Sequence, residues 1–169
     1  MRGRFAITKY VVVLCVSGLL SACAEHEADV LTSSITGTSI PPSAPLVEQG
    51  QRQFSEGHYG SAVDAFAKTI EKDPLNADAW LGAAAAYDQV GRFDEADKAY
   101  AKVQKLIGAT PSVLNNLGYS YLLRGNLDKS RQTLAAAYRG DPGNPYIRNN
   151  IEILNQRLVT LGHPPLALN

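Results

Sequence analysis

The chain has 169 residues, with 16 Lys and Arg balanced by 16 Asp and Glu, and 45% of its residues are hydrophobic. That length allows one domain of ordinary size beside a short leader. The balanced charge gives no support to nucleic-acid binding, which a strong basic excess favours.

The first 22 residues have the pattern of an export signal peptide. Arg2, Arg4 and Lys9 precede an apolar run from Tyr10 to Leu20, as is typical of such a signal. The run is 11 residues long, short of the ~20 that a membrane-spanning helix needs. A permanent transmembrane anchor is therefore the weaker interpretation.

The end of this run, Leu20-Ser21-Ala22-Cys23, closely resembles the lipobox of bacterial lipoproteins. The resemblance implies that the chain is cut before Cys23 and that lipid on this thiol anchors the mature protein. The alternative is an ordinary secretory signal cut near Ala22 or Ala24, which would leave a soluble periplasmic protein. Because the residue after the Cys is Ala24 rather than Asp, the resemblance favours the outer membrane, with the protein facing the periplasm.

Cleavage at this point changes the charge and the thiol content of the mature chain. Three of the 16 basic residues leave with the signal, so 13 remain against 16 acidic residues, a net charge of −3. Cys15 also leaves and lipid blocks Cys23, so no disulfide can form even in an oxidising compartment. The fold of the 147-residue mature chain must therefore depend on helix packing.

Residues 23–45, between the predicted anchor and the first repeat, are rich in Ser, Thr and Pro and show no helical period. This composition predicts a disordered tether. A flexible chain of about 22 residues has a typical end-to-end distance of roughly 25 Å. We expect the tether to hold the domain clear of the lipid headgroups while it searches for a partner.

A period of 34 residues organises the rest of the chain. It relates five sets of positions: Gly57, Gly91 and Gly125; Gly50, Ala84 and Gly118; Phe66, Tyr100 and Leu134; Trp80 and Leu114; Tyr87 and Tyr121; and it relates Pro74 to Pro142 two periods on. The pattern resembles the tetratricopeptide repeat. That family implies an all-α solenoid of helical hairpins, three here with a C-terminal capping helix, whose stacked units leave a concave groove for other proteins.

The residue types also make physical sense in a stack of helix pairs. A small residue at Gly50, Ala84 and Gly118 lets the second helix of a unit approach the first. The glycines of the Gly57 set suit the position after a helix end, where φ is usually positive. Pro74 prevents the second helix from running on.

The register predicts three helix pairs and a seventh, unpaired helix, at 46–56 and 59–72, 77–90 and 93–107, 111–124 and 127–139, and 145–160. The seventh carries Ile147, Ile151, Leu154 and Leu158 at helical spacing, as expected of a capping helix that covers the last open face. The repeat domain then occupies residues 46–161, and 162–169 form a tail.

Two features depart from the repeat. Gln49 and Gln53 stand where the family has large apolar residues, which predicts a first helix that is frayed or shifted in register. Gly108 stands where Pro74 and Pro142 stand in the other units. Because Gly also ends a helix, we expect that turn to be kept.

The family resemblance places the binding groove on first-helix residues that face away from the packing stripe. Mapped by period, these are Val47, Gln51, Phe54, Asp78, Leu81, Ala85, Asp88, Ser112, Asn115, Tyr119 and Leu122. They include no Lys or Arg, which argues against the co-chaperone mode, in which such cations grip a C-terminal carboxylate. With Phe54, Leu81, Tyr119 and Leu122 exposed, the wall would suit an amphipathic helix or an extended apolar peptide. The alternative is that some of these residues pack against a neighbouring helix or the linker.

Catalytic signals are weak. His26, His58 and His163 fall in the tether, an inter-helix turn and the tail, without a second ligand at metal spacing. No Gly-x-Ser-x-Gly, phosphate loop or free thiol is present. Asp94 and Glu95 begin a predicted helix, where they offset its dipole. We therefore expect a protein that is not an enzyme, with no cofactor, metal or small-molecule substrate.

Two further segments narrow the resemblance. Asn115-Asn116-Leu117-Gly118-Tyr119-Ser120-Tyr121, and Asp141-Pro142-Gly143-Asn144-Pro145-Tyr146 running into Arg148-Asn149-Asn150, are with the lipobox most similar to the tight-adherence (Flp) pilus assembly lipoproteins of the TadD type. The resemblance implies assembly or outer-membrane placement of a pilus secretin, with a secretin or pilus component as partner. Alternatives are a scaffold that recruits peptidoglycan enzymes for cell-wall or division functions, and a structural homo-oligomeric envelope lipoprotein.

Overall fold

Seven helices and the turns between them account for most of the residues that the computed structural model describes, 44–168, and no strand occurs within that range. They are α1 (Ala44–Ser55), α2 (Tyr59–Lys72), α3 (Ala77–Gln89), α4 (Phe93–Ile107), α5 (Pro111–Leu123), α6 (Leu127–Gly140) and α7 (Pro145–Thr160). The predicted all-α architecture is confirmed, with helix ends within two residues of those expected. The predicted signal peptide 1–22, the lipidated Cys23 and the tether up to residue 43 lie outside the described residues.

Helix α1 corrects two sequence-based expectations. It begins at Ala44, two residues before the predicted helix start at 46, because Pro45 is tolerated in a first helical turn. It is also in register, since a Cβ on Gly50 would lie 2.6 Å from Phe66 Cε1. Gln49 is exposed and Gln53 half-buried. Amide side chains are tolerated at these two positions because no described element packs on the outer side of α1.

The close approach of paired helices depends on missing side chains. A Cβ on Gly118 would lie 2.7 Å from Leu134 Cγ, and one on Gly82 would lie 2.4 Å from Phe66 Cζ. Phe66 therefore fills the space between α1 and α3, as predicted for its repeat position. Gly108, with φ of +77°, keeps the turn after α4 without a proline.

The turns after α2 and α6, which lie two 34-residue periods apart, have the same pattern of hydrogen bonds. After α2, the Asn76 side chain accepts a hydrogen bond from Ala79 N–H and donates to Asp73, while Trp80 Nε1 donates to Pro74 O at 3.0 Å. After α6, Asn144 bonds to Asp141 and caps α7 in the same way, and Arg148 takes the role of Trp80. An N-cap and a fixed loop together set the angle at which each new repeat begins.

Three buried clusters run through the stack, and each joins three successive helices. The first spans α1–α3 around Phe66, the second α3–α5 around Tyr100 and Val103, and the third α5–α7 around Leu134 and Ile151. Helices α1, α3, α5 and α7 also contact one another in sequence, so they form one wall of the solenoid. No helix between residues 44 and 168 is long and apolar enough to cross a membrane.

Candidate functional site

The wall made by α1, α3, α5 and α7 carries the residues predicted to line the groove, but most of them are buried. Phe54, Leu81 and Leu122 have exposed fractions of 5%, 2% and 4%, so the expectation that they are exposed anchors is wrong. Because neighbouring first helices contact each other directly, these side chains fill the seams between them. They contribute to stability rather than to an open surface.

The contact between α1 and α3 shows how predicted groove residues become buried. Phe54 packs edge to face on Tyr59, with ring centroids 4.9 Å apart, and belongs to the same buried cluster as Val47 and Ala85. The small side chain of Ala85 leaves room for the larger apolar groups of α1. Val47 and Ala85 are therefore also largely removed from the predicted groove.

Asp88, a predicted groove residue, lies inside the domain. Its carboxylate accepts hydrogen bonds from Tyr100 Oη at 3.0 Å and from Ser120 Oγ at 2.8 Å, and Arg124 Nη2 lies 3.4 Å away. Burial raises the pKa of Asp88 above its ordinary value, although these donors and Arg124 oppose the shift. Burial and the nearby Asp88 charge raise the pKa of Tyr100 as well. These contacts join α3, α4 and α5.

Arg124 completes this arrangement from the end of α5. It also donates to Asp97 on α4 at 3.0 Å, and its guanidinium lies over the rings of Phe93 and Tyr121. Two carboxylates and two aromatic faces thus hold this cation inside the fold. Sequence reasoning missed the network. The sequence did contain a signal for the network. Asp88 is charged, whereas the equivalent positions of the other two repeats hold the apolar residues Phe54 and Leu122.

Asn115 is another predicted groove residue that has a structural role. It is 1% exposed, and its Oδ1 accepts from Asn150 Nδ2 at 2.9 Å. Because a buried amide without a partner is costly, this bond fixes α7 against α5. Asn115 therefore orients the capping helix and is withdrawn from the groove.

What remains accessible on this wall is a smaller surface, here called the concave surface. It consists of half-buried Gln51, Asp78, Gln89, Ser112 and Tyr119 together with Leu123, which is 38% exposed.

Sequence mapping missed Gln89 and Leu123 on this surface. They lie one helical turn beyond Ala85 and Tyr119, so an i, i+4 count identifies them. Asp78 is the acidic member, and burial raises the pKa of its carboxyl. Tyr119 packs against the third buried cluster and, with Leu123, forms the apolar part of the surface.

The helix pairs, their spacing and the wall of first helices agree with comparisons to known proteins. Two models described as "Tetratricopeptide repeat" match residues 53–113 and 86–145. The chain contains a tetratricopeptide repeat domain. Such domains are protein-interaction scaffolds whose stacked repeats present an extended concave binding surface.

One curated relative of the tetratricopeptide repeat domain is the small glutamine-rich tetratricopeptide repeat-containing protein 2 of Mycosarcoma maydis. It is 23% identical over 113 residues, which cover 67% of this chain and 32% of that protein. The Arabidopsis thaliana protein CTR9 homolog is 29% identical over 99 residues, which cover 58% of this chain and 9% of that protein. This chain thus spans about a third or less of the length of these relatives.

Among solved structures, the first TPR of Spaghetti bound to the HSP90 peptide SRMEEVD has a TM-score of 0.59 and 21% identity. The alignment covers 69% of this chain and 93% of that one. The type III secretion chaperone SycD of Yersinia enterocolitica, in complex with a peptide of the translocator YopD, has a TM-score of 0.59 and 18% identity. It covers 73% and 95% of the two chains. At these identities the similarity establishes the fold alone.

Proposed function

We propose that the tetratricopeptide repeat domain binds a segment of another protein along its concave surface. The observation that carries this proposal is the pairing of Tyr119 with exposed Leu123 one turn away, on a surface that also includes the neutral, half-buried side chain of Gln89. Aromatic and aliphatic anchors with a polar surround are what binding hot spots require. Rigid helices hold these side chains in place before a partner arrives, which lowers the entropic cost of binding.

The composition of the concave surface specifies the chemistry of the partner. None of its six residues is Lys or Arg, and Asp78 contributes a carboxylate. The peptide bound by Spaghetti, SRMEEVD, has three acidic side chains, and Asp78 would repel such a ligand. The partner segment in this proposal therefore has apolar anchors and is uncharged or basic.

The fuller proposal places the domain in the bacterial envelope as a lipoprotein of tight-adherence pilus assembly. The lipobox ending at Cys23 and the resemblance of segments 115–121 and 141–150 support it. The domain would be held by lipid at the outer membrane and face the periplasm. There it would bind an exported secretin subunit, cover an apolar segment of it and be carried to the outer membrane with it.

Site-specific crosslinking in intact cells tests this proposal. A photoreactive residue replaces Leu123, with Cys23 left intact, and the same residue at Leu75 is the control. Leu75 is 71% exposed, lies in the turn between α2 and α3 and is not one of the six residues of the concave surface. The expected result is a secretin or pilus component crosslinked from position 123 and absent from position 75. Recovery of peptidoglycan enzymes, or of this chain alone, would contradict the pilus proposal and support a wall scaffold or a homo-oligomer.

Substitutions test whether the concave surface itself captures the partner. The double variant Tyr119→Ser, Leu123→Ser should reduce capture at least about tenfold, since an anchor residue contributes about 2 kcal/mol or more to binding. Leu75→Ser, which removes a still more exposed leucine (71%) that is not one of the six concave-surface residues, should leave capture unchanged. Leu122 is left intact because it is buried and its truncation would cost about 2–5 kcal/mol of stability. Unchanged capture by the double variant, with native helix content, would overturn this site.

A further inference from the structure

Helix α7 stands where a fourth repeat would begin, but no helix follows it among the described residues. Asn155 occupies the repeat position of Tyr87 and Tyr121, and Glu152 that of Gly118. Gly118 must lack a side chain because Leu134 of the paired helix lies against it. Glu152 is exposed. A glutamate is accommodated there because none of the described helices pairs with this face of α7.

The C-terminal tail, residues 163–168, lies across this face without regular secondary structure. Leu166 N–H donates to Asn155 Oδ1 at 2.6 Å, and Asn155 Nδ2 donates back to Leu166 O at 3.2 Å. Arg131 on α6 donates to Pro164 O. The Leu166 side chain packs against the third buried cluster. One amide side chain thus binds both polar groups of a single backbone residue, which is how a neighbouring strand would bind it.

The tail fills only part of the space that a paired helix would take. A cleft of about 550 Å³ remains on α7, lined by Ile151, Glu152, Val159 and Leu168 among others. Val159 is 60% exposed and Leu168 is 40% exposed. Leu166 packs against the buried cluster that includes α7 residues, and Leu168 lines the cleft on α7. Both leucines, two residues apart, therefore face α7.

We propose that this face of α7 is a second peptide-binding site and that residues 163–168 are its resident ligand. The site takes an extended segment with apolar side chains at i and i+2, and Asn155 binds the backbone of the first of them. A partner segment of this chemistry binds by displacing the tail. The site lies on a different face from the concave surface and does not depend on the function proposed above.

The short connection explains why the tail occupies the site at rest. Only Leu161 and Gly162 separate α7 from the tail. A short flexible link gives an effective concentration in the mM range, so even a weak interaction keeps the site filled. A free peptide at µM concentration competes poorly until the apolar contacts of the tail are removed.

Peptide binding to the full chain, purified in detergent, tests the proposal. The probe is a fluorescent peptide with the sequence of residues 163–169, and the readout is fluorescence anisotropy. The variant Leu166→Ser, Leu168→Ser releases the tail, and we expect it to bind the peptide at least tenfold more tightly than the wild-type chain does. Adding Asn155→Ala to that variant should abolish binding, whereas Gln132→Ala, on exposed α6 surface, should not.

Equal affinity in wild type and the released-tail variant, or binding that survives Asn155→Ala, would overturn the proposal. Dimerisation of the released-tail variant without peptide binding would overturn it too, since a second copy would then be the occupant. If the two serine substitutions reduce the helix content, hydrogen exchange of the wild-type chain is the test instead. The Leu166 amide must be protected, and excess unlabelled peptide must accelerate its exchange. A Leu166 amide that exchanges freely, or that peptide leaves unchanged, contradicts the site.

Discussion

At the scale of single residues, packing in this domain depends on where a side chain is missing. Gly118 has Leu134 Cγ 2.7 Å from its virtual Cβ and the Leu134 backbone nitrogen 3.2 Å away. Gly60, in the second helix of the first repeat, has nothing within 4 Å. The same residue type therefore has opposite roles. One glycine permits two helices to meet, and the other only adds backbone entropy to the unfolded chain.

Alanine substitution should separate these roles. Gly118→Ala forces α5 and α6 apart, and overpacking of about 1–3 kcal/mol exceeds the helix-propensity gain of about 1 kcal/mol. We expect a net loss of about 1 kcal/mol in the free energy of unfolding. Gly60→Ala should raise it by up to about 1 kcal/mol. Urea denaturation followed by circular dichroism measures both, and a stabilised Gly118→Ala variant would contradict the packing role.

At the scale of helices, the 34-residue period predicted the elements well because it reports backbone requirements. Positive φ at Gly57 and a small residue at Gly50 are needed wherever two helices pair, so they recur and locate the helix ends. The groove was predicted less well. Whether Phe54 or Leu122 is exposed depends on the distance between neighbouring first helices, which no single repeat encodes. The Asp88 network and the tail contact break the period and were missed.

The Asp88 network gives a pH dependence to the joint between α3, α4 and α5. With its pKa raised by burial, Asp88 binds a proton more tightly in the folded than in the unfolded chain. Its contribution to stability is therefore full below the ordinary pKa of 3.8 and is lost as pH rises through the folded value. The Asp88→Asn variant has no ionisable group at this position, so its stability lacks this pH-dependent contribution.

We therefore expect the stability advantage of wild type over Asp88→Asn to be largest near pH 4 and to shrink towards pH 7. Urea denaturation at several pH values in this range measures it. Asp97→Asn, at a half-exposed carboxylate that pairs with the same Arg124, is the control for the loss of one carboxylate partner of this cation. A difference that is constant across this range would mean that Asp88 titrates alike in both states.

At the scale of the whole molecule, the stack has two unlike ends. The chain enters at α1, on the side of residue 43, and leaves from α7, where the tail covers part of the last face. An anchor at Cys23 would therefore hold the α1 end nearer the lipid and leave the α7 end, with its tail, farther away.

Cys23→Ser should move the protein from the membrane fraction to the soluble periplasmic fraction. The reason is that each buried lipid CH₂ contributes about 0.8 kcal/mol to membrane attachment, and the described domain has no spanning helix to replace it. Cys15→Ser, inside the predicted signal, should leave the protein in the membrane. Cell fractionation and immunoblotting measure both variants. Membrane retention of Cys23→Ser would contradict lipid anchoring.

The indole of Trp80 has a spectroscopic consequence. The chain contains one tryptophan, and its Nε1 donates to Pro74 O at the junction of the first two repeats. Intrinsic fluorescence excited at the red edge therefore observes that junction, whereas far-ultraviolet circular dichroism averages over all seven helices. If the repeats unfold from the α7 end, the dichroism will begin to change at lower denaturant than the fluorescence. A difference between the two midpoints would thus give the direction in which the array opens, without any label.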